Sequence, residues 1–198
     1  MKTRRLILRH WQNSDRQSFA RLNADIRVME FMPSVLSEQE SHGLADRIEA
    51  HFREHGFGLY AAELRSDHRF IGYIGLSIPT FPAPFTPCVE IGWRLAREYW
   101  GLGLATEGAQ EIVRFAFTEL QLAELVSFTV PANVRSLAVM KKLGMTRDPK
   151  DDFDHPRLPP GHSLQRHVLY RLSRAGWSLN SESQRTTPAA SKAGDDTH

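Results

Sequence analysis

Hydrophobic positions along the 198-residue chain switch repeatedly between strand-like runs and helical spacing. Arg5 to Arg9 holds Leu6-Ile7-Leu8 without strict alternation and reads as a buried opening strand. From Asp15 to Met29, Phe19, Leu22, Ile26 and Met29 recur on one helical face until Pro33 ends the pattern. Ser37-Glu38-Gln39-Glu40 matches a capping box, and Leu44, Ile48 and Phe52 continue one face of a second helix that stops at Gly56 and Gly58. Leu59 to Leu64 and Phe70 to Ile78 flank a polar turn as an antiparallel hairpin. Pro79, Pro82, Pro84 and Pro87, with Phe81 and Phe85, then make a stiff loop that can neither continue a central strand nor form a helix.

Cys88 to Leu95 predicts another strand, followed by a glycine turn and a helix from Ala105 to Leu120 with Ile112, Phe115 and Ala116 on one face. Leu125 to Val130 is strand-like, and Ser136 to Leu143 is a short helix stopped by Gly144. Two last strands fall near Met145 to Phe153 and Gln165 to Leu172, divided by Pro159-Pro160-Gly161. The resulting order predicts a mixed α/β (α+β) sheet containing one right-handed βαβ unit. Length and apolar content suit a single domain over residues 1–176, and the Ser, Thr, Ala, Gly and charge of residues 177–198 predict a disordered tail.

A formal charge of +2 gives no argument for nucleic acid or a membrane as partner. Cys88, the only cysteine, excludes an internal disulfide and a multi-cysteine zinc site, and suits a reducing cytosol. The start lacks the apolar stretch of a signal peptide, so the expectation is a soluble cytoplasmic protein. His155, His162 and His167 are too irregularly spaced to predict a metal site, and no metal is expected.

The chemistry concentrates at Trp100-Gly101-Leu102-Gly103-Leu104-Ala105-Thr106, where a glycine turn opens a helix. The first amides of a helix lack intrahelical acceptors, and glycines let an anion approach them closely. Glycines between a strand and a helix can also make a tight turn and nothing more. A P-loop would need Lys-Ser/Thr after its last glycine, and Gly103 is followed by Leu104-Ala105. A dinucleotide-binding unit would need a third glycine where Thr106 stands and an acidic residue where Val130-Pro131 ends the next strand.

Glu90-Ile91-Gly92-Trp93, followed by Tyr99-Trp100-Gly101-Leu102-Gly103-Leu104-Ala105-Thr106-Glu107, resembles the GNAT superfamily of N-acetyltransferases. The segment Asn133 to Met145 and the opening Thr3 to Arg9 resemble its ribosomal-protein N-terminal acetyltransferase-like branch. The resemblance implies a mostly antiparallel central sheet with a splayed parallel pair and helices on both faces. It implies acetyl-CoA as co-substrate, with pantetheine beside the backbone of Trp93, Arg94 and Leu95. The pyrophosphate would be cupped by the turn from Trp100 to Thr106, chiefly by the amides of Leu102, Gly103, Leu104, Ala105 and Thr106, with Asn133 on the pantetheine amides.

The acceptor amine must lose a proton, since an ammonium of pKa ~8 (α-amine) or ~10.4 (lysine) has no lone pair to attack with. Glu90 stands where some members carry a catalytic glutamate; the other reading is an ion-pair or turn-capping role. Many members place a tyrosine at the position of Met140, so Ser136 is the candidate for hydrogen-bonding the departing thiolate, set against simple capping of the helix it begins. Backbone N–H groups near Trp93 and Arg94 would form the oxyanion site. The implied partners are acetyl-CoA and an amine acceptor, either a protein N-terminus or a small molecule, with a homodimer common among relatives. The alternative from another class is a non-catalytic acyl-CoA-binding or sensing module.

Overall fold

In the computed structural model, which describes residues 1–178, seven strands form one sheet in the order β1-β2-β3-β4-β5-β7-β6. The strands are β1 (Leu6–Arg9), β2 (Leu59–Leu64), β3 (Phe70–Ser77), β4 (Glu90–Leu95), β5 (Glu124–Thr129), β6 (Phe153–Asp154) and β7 (Arg166–Ser173). The helices are α1 (Asp15–Ala24), α2 (Glu38–His55), α3 (Leu104–Thr118) and α4 (Val134–Lys142). Every neighbouring pair is antiparallel except β4 and β5, which are joined by α3 as the expected parallel unit. No helix among the described residues is long and apolar enough to cross a membrane.

Alternation along the strands sorts the sheet into two faces. Leu6 and Ile74 lie against Gly108 of α3, whose missing side chain lets the helix approach the sheet. The register puts Ile91, Trp93 and Leu95 of β4 on that same face, opposite Leu76, Ile74 and Gly72. On the other face Tyr73 packs against Phe19 of α1 at 6.1 Å between ring centres, and α2 packs on α1. Glu90, Gly92 and Arg94 share this second face, paired with Ser77, Gly75 and Tyr73. The predicted capping box of α2 is formed in full, with Gly56 closing the helix in the left-handed conformation at φ +74°.

Among the boundaries that differ from the sequence expectation, three have a local cause. The helix read from Asp15 to Met29 ends at Ala24, because the Asp25 carboxylate accepts the amides of Arg27 and Val28 and turns the backbone away. Ile26 is consequently 76% exposed and no part of the core. The short helix begins at Val134 rather than Ser136, with Asn133 as its cap. The strand expected from Met145 to Phe153 is reduced to Phe153–Asp154 and an isolated bridge between Thr146 and Arg171, since Pro149 opens a 3₁₀ turn between them. Of the tail expected over residues 177–198, all beyond Ser178 lies outside the described residues; the Trp177 ring packs 5.5 Å from that of Phe117.

Candidate active site

β4 and β5 touch at one point. Glu90 pairs with Val126, whose N–H donates to the Val89 carbonyl at 3.0 Å, and beyond it the two strands share no ladder bond. The edge of β4 from Ile91 to Leu95 is therefore open toward β5, and the backbone of Trp93 and Arg94 lies along it, as does that of Leu95, whose carbonyl accepts the Trp100 indole N–H at 2.8 Å. α3 begins above the mouth of this gap.

Gly101 and Gly103 both take left-handed backbone, at φ +74° and +77°, and Gly103 caps α3 without any side-chain hydrogen bond. Only glycine adopts this conformation without strain, and two such residues flanking Leu102 curl the chain so that consecutive amides face outward. The first bond into the helix is Glu107 N–H to the Gly103 carbonyl, so the amides of Leu102, Gly103, Leu104, Ala105 and Thr106 bond to no acceptor among the described residues. Five free donors at the positive end of a fifteen-residue helix form an anion cradle.

What holds the cradle was not read from the sequence. Glu107, in the first turn of α3, accepts from Thr3 Oγ1 at 2.6 Å and from the Arg5 backbone and Nε at 2.7 Å each, while Arg5 Nη1 donates to the Leu102 carbonyl at 2.9 Å. Burial opposes ionisation of Glu107, yet the hydrogen bonds from Thr3 and Arg5 hold its carboxyl below the usual glutamate range. The Arg5 guanidinium thus stands beside the cradle with its charge paired to Glu107 and its Nη2 without a bonded partner among the described residues. An acidic residue in a first helical turn was the only visible signal, and its partner lies 102 residues away.

Glu90 sits half-buried at the closed end of the gap. Its one hydrogen bond is a long one, from Ser77 Oγ at 3.4 Å, and burial without a neighbouring cation pushes its pKa up to about 7. The ion-pair alternative is absent, since no basic residue lies within salt-bridge distance among the described residues. Beside it on the same face, Val126 joins Phe81, Phe153 and Leu169 in a small second core, bordered by Phe85, Cys88 and Phe128. Burial, and Glu90 nearby, raise the Cys88 thiol to about 11, so it stays protonated and serves as packing.

On the opposite arm of the gap, Asn133 caps α4: its Oδ1 accepts the Ser136 N–H at 3.2 Å and its Nδ2 donates to Thr129 Oγ1 at 3.0 Å. Ser136 is therefore not the cap, and its hydroxyl has no partner among the described residues. Next to it, the Arg135 guanidinium lies 4.3 Å from the centre of the Trp100 ring and 6.0 Å from that of Phe31, and donates to Glu30 at 2.9 Å. The α1–α2 connection is thereby tied across the mouth of the gap, a contact that sequence spacing did not suggest.

His155 and His167 lie 5.1 Å apart between ring centres, and burial lowers the pKa of both, so they are neutral at pH 7. Among the described residues no three metal-ligating side chains converge. A hollow of about 640 Å³ at the far edge of the sheet is lined by Arg9, Asp15, Glu63 and His68. The Arg9 guanidinium is bonded to Asp15 and Glu63 at 2.7 and 2.6 Å, and Glu63 also meets His68 Nδ1 at 2.6 Å, so these side chains are engaged with one another.

Residues 5–146 match the family described as Acetyltransferase (GNAT) domain. The chain is 37% identical over 126 residues to the FsC-acetyl coenzyme A-N(2)-transacetylase of Aspergillus fumigatus, a stretch covering 62% of this chain and about half, 52%, of the fungal protein. It is 28% identical over 178 residues to the uncharacterized N-acetyltransferase YnaD of Bacillus subtilis, covering 89% of this chain and 98% of that protein. Its structure superposes on an acetyltransferase from Agrobacterium tumefaciens with a TM-score of 0.70 and 28% identity, over 87% of this chain and 92% of the other.

Proposed function

Because the chain belongs to the GNAT acetyltransferase family, we propose that it moves the acetyl group of acetyl-CoA to a primary amine by direct attack in a ternary complex. The observation that carries this reading is Glu90, a carboxyl with a pKa of about 7 at the closed end of the gap between β4 and β5. A base of that strength is divided between its two forms at neutral pH, which suits accepting a proton from an ammonium and returning it to solvent.

The residues fit the co-substrate. The free amides of Leu102 to Thr106, with Arg5 beside them, suit a pyrophosphate. The open edge of β4 along Trp93, Arg94 and Leu95 suits the amides of pantetheine as an added strand. Asn133, fixed by Thr129 and Ser136, has one amide hydrogen left to offer them.

Glu90 takes the amine's proton directly or through one water, and the freed lone pair attacks the thioester carbonyl. The C–N bond forms, the developing oxyanion is met by backbone N–H near Trp93 and Arg94, the nitrogen gives up its second proton to solvent, and the C–S bond then breaks. The thiolate leaves toward the Ser136 hydroxyl, which stabilises it by a hydrogen bond while solvent supplies its proton. Trp100 shapes the turn without offering a donor, its indole N–H being committed to the Leu95 carbonyl and its backbone N–H to that of Arg97.

Release of free CoA on mixing the protein with acetyl-CoA and a panel of amines tests the reading. Turnover with at least one amine, lost in E90Q, is the expected result. Tight acetyl-CoA binding with no turnover across the panel overturns it in favour of a sensing module.

A further inference from the structure

Arg94 is a half-buried guanidinium without a carboxylate. Its side chain leaves β4 on the face that carries Glu90, Nη1 donating to Asn23 Oδ1 at 2.7 Å and Nη2 to the Met32 thioether at 3.1 Å. Its charge lies 5.4 Å from the centre of the Tyr73 ring. No Asp or Glu among the described residues stands within ion-pair distance of it, whereas Arg9, Arg16, Arg114, Arg147 and Arg171 each have at least one. A thioether is a poor acceptor for a charged donor, so much of the guanidinium's hydrogen-bonding capacity is unspent.

The arrangement is built. Asn23 is 0% exposed and its Nδ2 donates to Ser41 Oγ, also 0% exposed, at 2.8 Å. That bond settles which end of the Asn23 amide meets Arg94 and holds the guanidinium in place. A buried Asn–Ser pair spent on orienting one arginine leaves that arginine rigid and its charge uncompensated.

Between Arg94 and Glu90 lies Gly92. A Cβ added there would meet nothing within 4 Å, so the floor between the two charged side chains is open space. Strand geometry separates the Cα atoms of Glu90 and Arg94 by ~13 Å. An amine above Gly92 is then between a base on one side and a fixed cation on the other.

We propose that Arg94 is the acceptor's anion site, and that the acceptor is a small amine carrying a carboxylate close to its reacting nitrogen, as an amino acid does. This rests on the acetyl-transfer reading above. Glu90 receives the ammonium end and Arg94 the carboxylate end, with Gly92 leaving room for the carbon that joins them. A polyamine has no group for Arg94 and meets its charge with like charge. A protein N-terminus offers an amide there in place of a carboxylate.

The test compares kcat/KM for the standard L-amino acids with that for their amides and for spermidine, by CoA release. At least one amino acid should exceed its amide by tenfold or more, against intrinsic reactivity, since the amide's amine deprotonates more readily. In R94M that ratio should fall at least about tenfold. M32D keeps the guanidinium but supplies a carboxylate from within, and should suppress the ratio likewise, which covers the case that R94M misfolds. Amides or spermidine turning over as well as the acids, or a ratio indifferent to both substitutions, overturns the anion site while acetyl transfer stands. No CoA release with any amine overturns both.

Discussion

At neutral pH an ordinary glutamate is too weak a base to hold a proton long enough to matter, and what changes Glu90 is the lack of company around it. Burial raises its pKa from 4.5 to about 7, and one long bond from Ser77 does little to offset that. Two expectations follow from the sign of the shift. For catalysis, kcat/KM should rise with pH through an apparent pKa near 7, and E90Q should flatten the profile and lower kcat by roughly a hundredfold with KM for acetyl-CoA unchanged. For stability, the folded protein binds this proton more tightly than the unfolded chain. The contribution is therefore full below about pH 4.5 and lost as pH rises through about 7. Urea denaturation should find E90Q equal to the wild type at pH 4 and more stable on the order of 2 kcal/mol at pH 8. Glu90 was legible as a candidate because it stands in a recognisable string of residues. Its surroundings were not, since the carboxyl's neighbours come from three strands and a proline-rich loop.

At the scale of elements, the two helix starts that frame the gap are built oppositely. α3 begins at a glycine with no side-chain cap, and α4 at an asparagine whose side chain closes the first turn. The capped start is stabilised from within, so Asn133→Ala should cost about 1 kcal/mol in urea denaturation. Ser136→Ala should leave stability untouched and lower kcat about tenfold. Loss of stability without loss of kcat would return Ser136 to a structural part. The uncapped start is held from outside by Thr3 and Arg5 through Glu107. Glu107→Ala should release it and raise KM for acetyl-CoA about tenfold while kcat at saturation changes little, measured by initial rates. Glycine spacing and helix period made α3 and its turn readable. The Asn133 cap was missed by three residues because Ser136 is equally acceptable as a cap by residue type, and only the backbone decides between them. The early end of α1 was hidden for a similar reason: Ile26 and Met29 keep the helical spacing, and the Asp25 side chain overrides it.

Across the whole molecule, the order of strands and helices followed from period alone, since each apolar run is bounded by glycine, proline or a polar turn. Strand pairing was harder to see: β7 inserts between β5 and β6, and the long stretch after Gly144 forms turns where apolar residues suggested a strand. Sheet geometry also depends on close approaches that composition does not reveal. Gly72 has φ +136°, and a Cβ there would lie 2.1 Å from the Arg94 carbonyl oxygen. Gly72→Ala should therefore destabilise the protein by at least about 2 kcal/mol, read as a lowered Tm, because neither backbone can yield without parting β3 from β4.

The parting of β4 from β5 has a further meaning for the life of the protein. A sheet joined at one register point is two half-sheets on a hinge, each with an unpaired interior edge of the kind that invites wrong pairings. A co-substrate laid along that edge, as proposed above, would complete the fold as much as it feeds the reaction. Occupancy then stabilises the native state in proportion to the logarithm of its concentration over Kd. Amide hydrogen exchange along Ile91 to Leu95 should slow sharply on adding CoA alone.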